Sequence, residues 1–137
     1  MQNVFVGSWT LEPGESLFDP NHRPSEAIMH WELHDEGFYL MKAEGVNAKG
    51  EKCAERPQKM VPDGRPYPVP DLPGLTAVVT QPDPQTVCGR VTREDGSVVG
   101  EARYAVSPDG TRMTATTSGF DTQIRRFEMK TVWRKKN

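Results

Sequence analysis

The sequence has little cysteine, no long apolar run and no stretch of helical periodicity, and each absence excludes something. Its two cysteines, Cys53 and Cys88, stand in no C-x-x-C pair. That removes the usual zinc and dithiol redox motifs, and two thiols make no disulfide scaffold; both are expected to be reduced. No apolar run approaches the ~20 residues of a bilayer span. The opening Met1-Gln2-Asn3-Val4-Phe5 has no charged leader with an apolar segment behind it. A cytoplasmic protein is expected, although a trimmed signal peptide would leave the same start. G-x-S-x-G is missing, and neither cysteine has a histidine near it in sequence, so nucleophilic catalysis has no visible motif. Excess positive charge is missing too: Lys plus Arg number 17 against 19 Asp plus Glu, a net charge of −2. A face able to displace counterions from a nucleic acid is therefore not expected.

What is present is alternation. Of 137 residues, 35% are apolar, enough for one thin core in a single domain spanning 1–137. Apolar and polar residues alternate between turn signals at Asp35-Glu36-Gly37, Asn47-Ala48-Lys49-Gly50, Glu94-Asp95-Gly96 and Ser107-Pro108-Asp109-Gly110, each suited to a tight hairpin. This pattern predicts strands near 4–11, 26–34, 38–46, 51–61, 75–81, 85–93, 97–106, 111–119 and 123–134. Strands joined by short turns form a meander, and closure removes its exposed edges. The expected fold is all-β: an antiparallel up-and-down β-barrel of about 8–10 strands. Two connections are longer. Arg56 to Gly74 holds six prolines, too many for a central strand, and reads as an extended loop with room for a short hairpin at Asp63-Gly64. Glu12 to Pro24 separates the first two strands, and either segment is placed to lie across a barrel mouth.

Strand parity then assigns faces. Ala27, Met29, Trp31 and Leu33 share the inner face of one strand, and Tyr39, Met41, Ala43 and Gly45 that of the next. Val98, Gly100, Ala102 and Tyr104 form another inner row, as do Arg125, Phe127, Met129, Thr131 and Trp133, with Phe5, Trp9 and Leu11 on the first strand. Large aromatics and methionines beside Ala and Gly leave space as readily as they fill it. Ile28, Phe38 and Leu40 point outward as an apolar patch, a possible homodimer surface.

Polar constellations are sparse. His30 and His34 flank Glu32, but positions i and i+4 of a strand lie about 13 Å apart, too far for one metal ion. They are read as surface histidines, and no metal or cofactor is expected. His22 has no partner in sequence. Acid–base catalysis has three inward candidates, Glu55, Tyr39 and Tyr104, of which none stands out.

Gly7-Ser8-Trp9, on the first strand ahead of a long loop, resembles the G-x-W signature of lipocalins and other calycin-type barrels. That likeness implies a Trp plugging the closed end beneath a basic side chain from the last strand, with Arg134 as the candidate. A wider set of segments is similar to a group of lipocalin-like bacterial proteins without an assigned activity. It comprises Phe5-Val6-Gly7-Ser8-Trp9-Thr10-Leu11, Phe18-Asp19-Pro20, Asp63-Gly64 with Tyr67-Pro68-Val69, Val98-Val99-Gly100 and Val106-Ser107-Pro108-Asp109-Gly110. Fatty-acid-binding barrels carry Arg-x-Tyr on the last strand to hold a ligand carboxylate. Here Thr131-Val132-Trp133 stands in that place, which implies a cavity floor without the clamp.

The leading expectation is a carrier or sensor that binds a small, largely apolar or aromatic molecule inside the barrel. Its expected lining is Met29, Trp31, Tyr39, Met41, Tyr104, Arg125, Phe127 and Met129. The alternatives are a small barrel enzyme of isomerase, hydratase or cyclase type using one acid–base residue, and a filled barrel that works as an interaction domain.

Overall fold

The computed structural model describes residues 3–16, 24–47, 50–54, 57–69, 72–120 and 126–136. Its strands are β1 (Gly7–Leu11), β2 (Pro24–Leu33), β3 (Tyr39–Asn47), β4 (Lys52–Ala54), β5 (Gln58–Met60), β6 (Pro66–Pro68), β7 (Leu75–Asp83), β8 (Thr86–Arg93), β9 (Val98–Val106), β10 (Arg112–Phe120) and β11 (Arg126–Lys135). All eleven belong to one sheet in the order β4-β3-β2-β1-β11-β10-β9-β8-β7-β6, with β5 also paired to β3. Every ladder is antiparallel. The expected meander is therefore present, and it is joined first strand to last by β1 and β11.

The sheet curls far enough for opposite walls to meet. Trp31 on β2 and Tyr104 on β9, well separated in the strand order, bring their rings to 5.1 Å. Between β3 and β7 runs a seam, where the described residues form no ladder joining β4 or β5 to β6. Side chains and a turn close it instead: Tyr39 donates its hydroxyl to Gln81 Oε1 at 3.1 Å, and Gly64 N donates to Val79 O at 2.9 Å.

The single strand expected over 51–61 is two short ones. Pro57 has no N–H to give a ladder, and pairing with β3 resumes only at Gln58. The expected loop over 56–74 contains a strand as well, Pro66-Tyr67-Pro68, which pairs with β7 on one side only. An edge strand tolerates prolines whose missing N–H groups would face away from its neighbour. Among the described residues no helix is long and apolar enough to cross a membrane.

Burial divides the interior into two halves. Phe5, Trp9, Trp31, Tyr39, Val87 and Met113 are fully buried and belong to one cluster at one end. Toward the other end the inward positions become small.

Candidate functional site

The closed end is built around Trp9. Its indole Nε1 donates to Phe5 O at 3.0 Å, and Lys135 Nζ sits 4.9 Å from the ring centre. The same ammonium donates to Val6 O at 2.7 Å and Val4 O at 3.3 Å, and its burial pushes the Lys135 pKa below 10.5. Lys135, not Arg134, is the basic residue over the tryptophan. Parity explains the correction: Lys135 pairs with Trp9 on the inner face, whereas Arg134 pairs with Thr10 on the outer face and bonds Glu12 at 3.0 Å. Gly7 has φ +134, and a Cβ there would lie 2.9 Å from Lys135 Cε. The glycine of the G-x-W segment thus makes way for the lysine that covers its tryptophan.

Above this plug lies an aromatic floor. Trp31 contacts Phe5 at 5.0 Å, Tyr39 at 5.5 Å and Tyr104 at 5.1 Å between ring centres. Tyr39 is anchored from below: Asn3 Nδ2 donates to its hydroxyl at 2.7 Å, and the hydroxyl in turn donates to Gln81. Met29 and Met41 are buried in the same cluster. Five of the expected lining residues, Met29, Trp31, Tyr39, Met41 and Tyr104, are therefore brought together. Met129 faces inward opposite Thr117 and is half-buried. Phe127 pairs with Gly119, its side chain lying outside the described set. Arg125 and Glu55 lie outside the described residues.

The wall above the floor is made of small residues. Ala27, Ala43, Gly45, Ala77, Gly89, Gly100, Ala102, Thr117 and Gly119 all take the inward register, yet each remains half-buried. The space beside them is uneven: Ala27 and Ala102 pack against the core cluster, and a Cβ at Gly45 or Gly100 would crowd Glu26 O or Ser118 O. Gly89 gives the direct test of space: a Cβ there meets no atom within 4 Å. It lies between Val79 and Ala102, one inward step above fully buried Val87. A groove of about 170 Å³ lies on the outer side of β9, β10 and β11 near the same end, lined by Val99, Glu101, Ser118 and Arg126 with Gly100 and Gly119 between them; it is not part of the interior.

Within the floor, one polar atom is unsatisfied. Trp31 is 1% exposed, and its Nε1 is buried with no hydrogen-bond partner. A buried donor left in that state costs about 1–3 kcal/mol.

His30 Nδ1 is 2.7 Å from Ser8 Oγ, His34 stacks on Phe38 at 4.6 Å, and no metal-ligating cluster occurs among the described residues. Both histidines are surface residues, as expected. Ile28, Phe38 and Leu40 are half-buried, and Lys59 lies over the Phe38 ring at 4.4 Å, so this chain's own side chains cover part of that patch. Leu33, expected inside, is 46% exposed, because it pairs with Tyr39 at the very end of the barrel. Cys88 is a free thiol.

No protein-family model matches the chain, and no curated protein matches it in sequence. Solved structures do match. The wild-type fluorescent protein UnaG is similar with a TM-score of 0.66 at 11% identity, over 99% of this chain and 100% of that one. Zebrafish ileal bile acid-binding protein, complexed with cholic acid, gives 0.59 at 9% identity over 97% and 99%. The chain has the calycin-type barrel fold. An extracellular fatty acid binding protein gives a further TM-score of 0.52 at 12% identity, over 98% and 97%. Identities this low carry the fold of the barrel and no residue-level roles.

Proposed function

We propose that this barrel is a carrier or sensor for a small, largely apolar or aromatic molecule held between the aromatic floor and the rim. The observation that carries the reading is Gly89, an inward-facing residue in mid-strand with open space where a side chain would stand. Trp31 and Tyr104 form the upper surface of the floor, with Met29 and Met41 beside them; Met129, together with Phe127 and Arg125, is proposed as a further contact for the ligand. Tyr39 serves as the base, since its hydroxyl is already engaged. The similar barrels support a ligand-binding use, two of them being bile-acid and fatty-acid binding proteins by name. The Gly7-Ser8-Trp9 segment fits a lipocalin-like bacterial protein, and the scarcity of cysteine fits the cytoplasm.

The test is a thermal-shift and tryptophan-fluorescence screen against fatty acids, aromatic acids, polyketide-like rings and haem. At least one class is expected to raise the melting temperature by mass action and to alter Trp31 emission. Gly89→Leu, which fills the proposed space, is expected to abolish both effects while remaining folded. Silence across all four classes, or binding that survives Gly89→Leu undiminished, sinks the reading.

A further inference from the structure

We infer that the ligand of this cavity presents a neutral acceptor oxygen, as in an aryl ketone, quinone or ester, to the indole N–H of Trp31. The inference rests on the cavity reading above and narrows it to a chemical class.

The chain holds three tryptophans, and two of them are satisfied from within. Trp9 Nε1 donates to Phe5 O at 3.0 Å, and Trp133 Nε1 to Thr131 Oγ1 at 2.9 Å. Trp31 Nε1 alone among them is buried with no partner. Its rings meet Tyr39 and Tyr104 edge to face, contacts that supply no oxygen acceptor. Nor can the Tyr39 hydroxyl relax toward it cheaply, because it is committed to Asn3 and Gln81.

Register puts Trp31 next to the small-residue half, where the guest is proposed to sit. Trp31 stands at the boundary between the packed half and the small-residue half. The next inward residues toward the mouth are Met29 on its own strand, Ala43 on the adjacent strand, and Ala102 above Tyr104 on the opposite wall. Met29 is unbranched and readily repacked, so it is the side chain that yields to an entering oxygen.

Charge decides between a neutral acceptor and a carboxylate. The described cations with inward register, Arg93 and Lys135, lie at opposite ends of the barrel. Arg93 reaches Ser97 at the rim, and Lys135 is bound to the carbonyls of Val4 and Val6. Both are engaged elsewhere, so an anion brought down to Trp31 would be buried apart from these described cations, at a large desolvation cost, whereas a ketone oxygen gains a hydrogen bond at little expense.

The experiment compares acetylnaphthalene, ethylnaphthalene and naphthoate, near-isosteres that differ in their acceptor, by fluorescence titration of the wild-type chain and of Trp31→Phe. The ketone is expected to bind roughly tenfold more tightly than the hydrocarbon, and the carboxylate most weakly. Trp31→Phe is expected to erase the ketone's advantage over ethylnaphthalene, the two ligands being compared within the same variant. In parallel, the indole N–H resonances of the wild-type protein are followed by NMR, which needs no variant to fold. One of the three is expected to move downfield with the ketone and not with the hydrocarbon. Equal binding of ketone and hydrocarbon overturns the inference while the cavity stands. Tighter naphthoate binding, or a ketone preference that persists in Trp31→Phe, overturns it as well. If none of the three binds, the inference falls, and the cavity reading is then judged on the wider screen.

Discussion

Lys135 lies over the indole of Trp9, 4.9 Å from the ring centre, while its Nζ donates to two carbonyls of the segment that leads into β1. One side chain therefore ties the last strand, the first strand and the chain start to the plug of the barrel. Its neighbour Arg134 points the other way, into an exposed pair with Glu12.

Lys135→Met is expected to destabilise the fold by about 1–3 kcal/mol, through loss of the cation–ring contact and of two charge-assisted hydrogen bonds. Arg134→Ala is expected to cost under about 1 kcal/mol, as exposed pairs do. Urea unfolding of the two variants side by side checks the assignment, and equal losses would refute it.

Gly7→Ala is expected to cost about 1–3 kcal/mol, since it places a side chain at φ +134 and against Lys135. Combined with Lys135→Ala, the steric part should vanish, so the double variant should lose less than the sum of the two single losses.

Tyr39→Phe keeps the ring of the floor but removes the hydroxyl that receives from Asn3 and donates to Gln81. A loss of about 1–2 kcal/mol is expected, together with faster amide exchange in β5 and around Gly64, the elements beside the seam. Exchange unchanged there would show that the bridge does not hold the seam.

Acid should act through the turns. Asp109 has its carboxyl pKa lowered from 3.8 to about 2, by the hydroxyls of Ser107 and Thr111 and then by the Thr111 N–H. Its folded-state pKa lies below the unfolded value, so its contribution is complete above pH 3.8 and drains away as the pH falls toward about 2. Asp63 and Asp95 shift in the same direction through Tyr67 with Arg65 and through Ser97. Asp109→Ala should therefore lower the melting temperature at neutral pH and flatten its decline below pH 3.8. An unchanged acid slope would contradict the assignment.

Filling the lumen separates stability from binding. Gly89→Leu is expected to leave the melting temperature equal or higher, because a strand glycine carries an entropic cost of roughly 0.5–1 kcal/mol and the added side chain meets open space. A clear drop in melting temperature would show that the interior is already filled at that level.

Much of this was legible as pattern. Period-2 alternation identified the inner faces of β2, β3, β9 and β11 correctly, because cross-strand neighbours share a face and that face is chosen by burial. That Trp31, Tyr39 and Tyr104 face inward followed from parity; their ring contacts depend on how the sheet curls and were not legible. Lys135 was missed although parity had already placed Trp133 inside; a charge next to the terminus reads as solvated until its carbonyl partners are seen. Met60 and Val79 were missed for another reason. Burial there depends on the seam, a long-range closure that leaves no periodic trace in a proline-rich segment. Gly89 was hidden too, since a glycine in a strand looks the same whether the space beside it is filled or open.

In a fully laddered barrel, strand number and stagger fix the diameter. Here, among the described residues, no ladder joins β4 or β5 to β6, and the Tyr39 hydroxyl with Gln81 and the Asp63-Gly64 turn with Val79 make contact across that seam. The barrel therefore resembles a split ring held by a clasp. Its bore is set by a handful of side chains, and substitutions at the clasp can widen or narrow the container while every strand keeps its register.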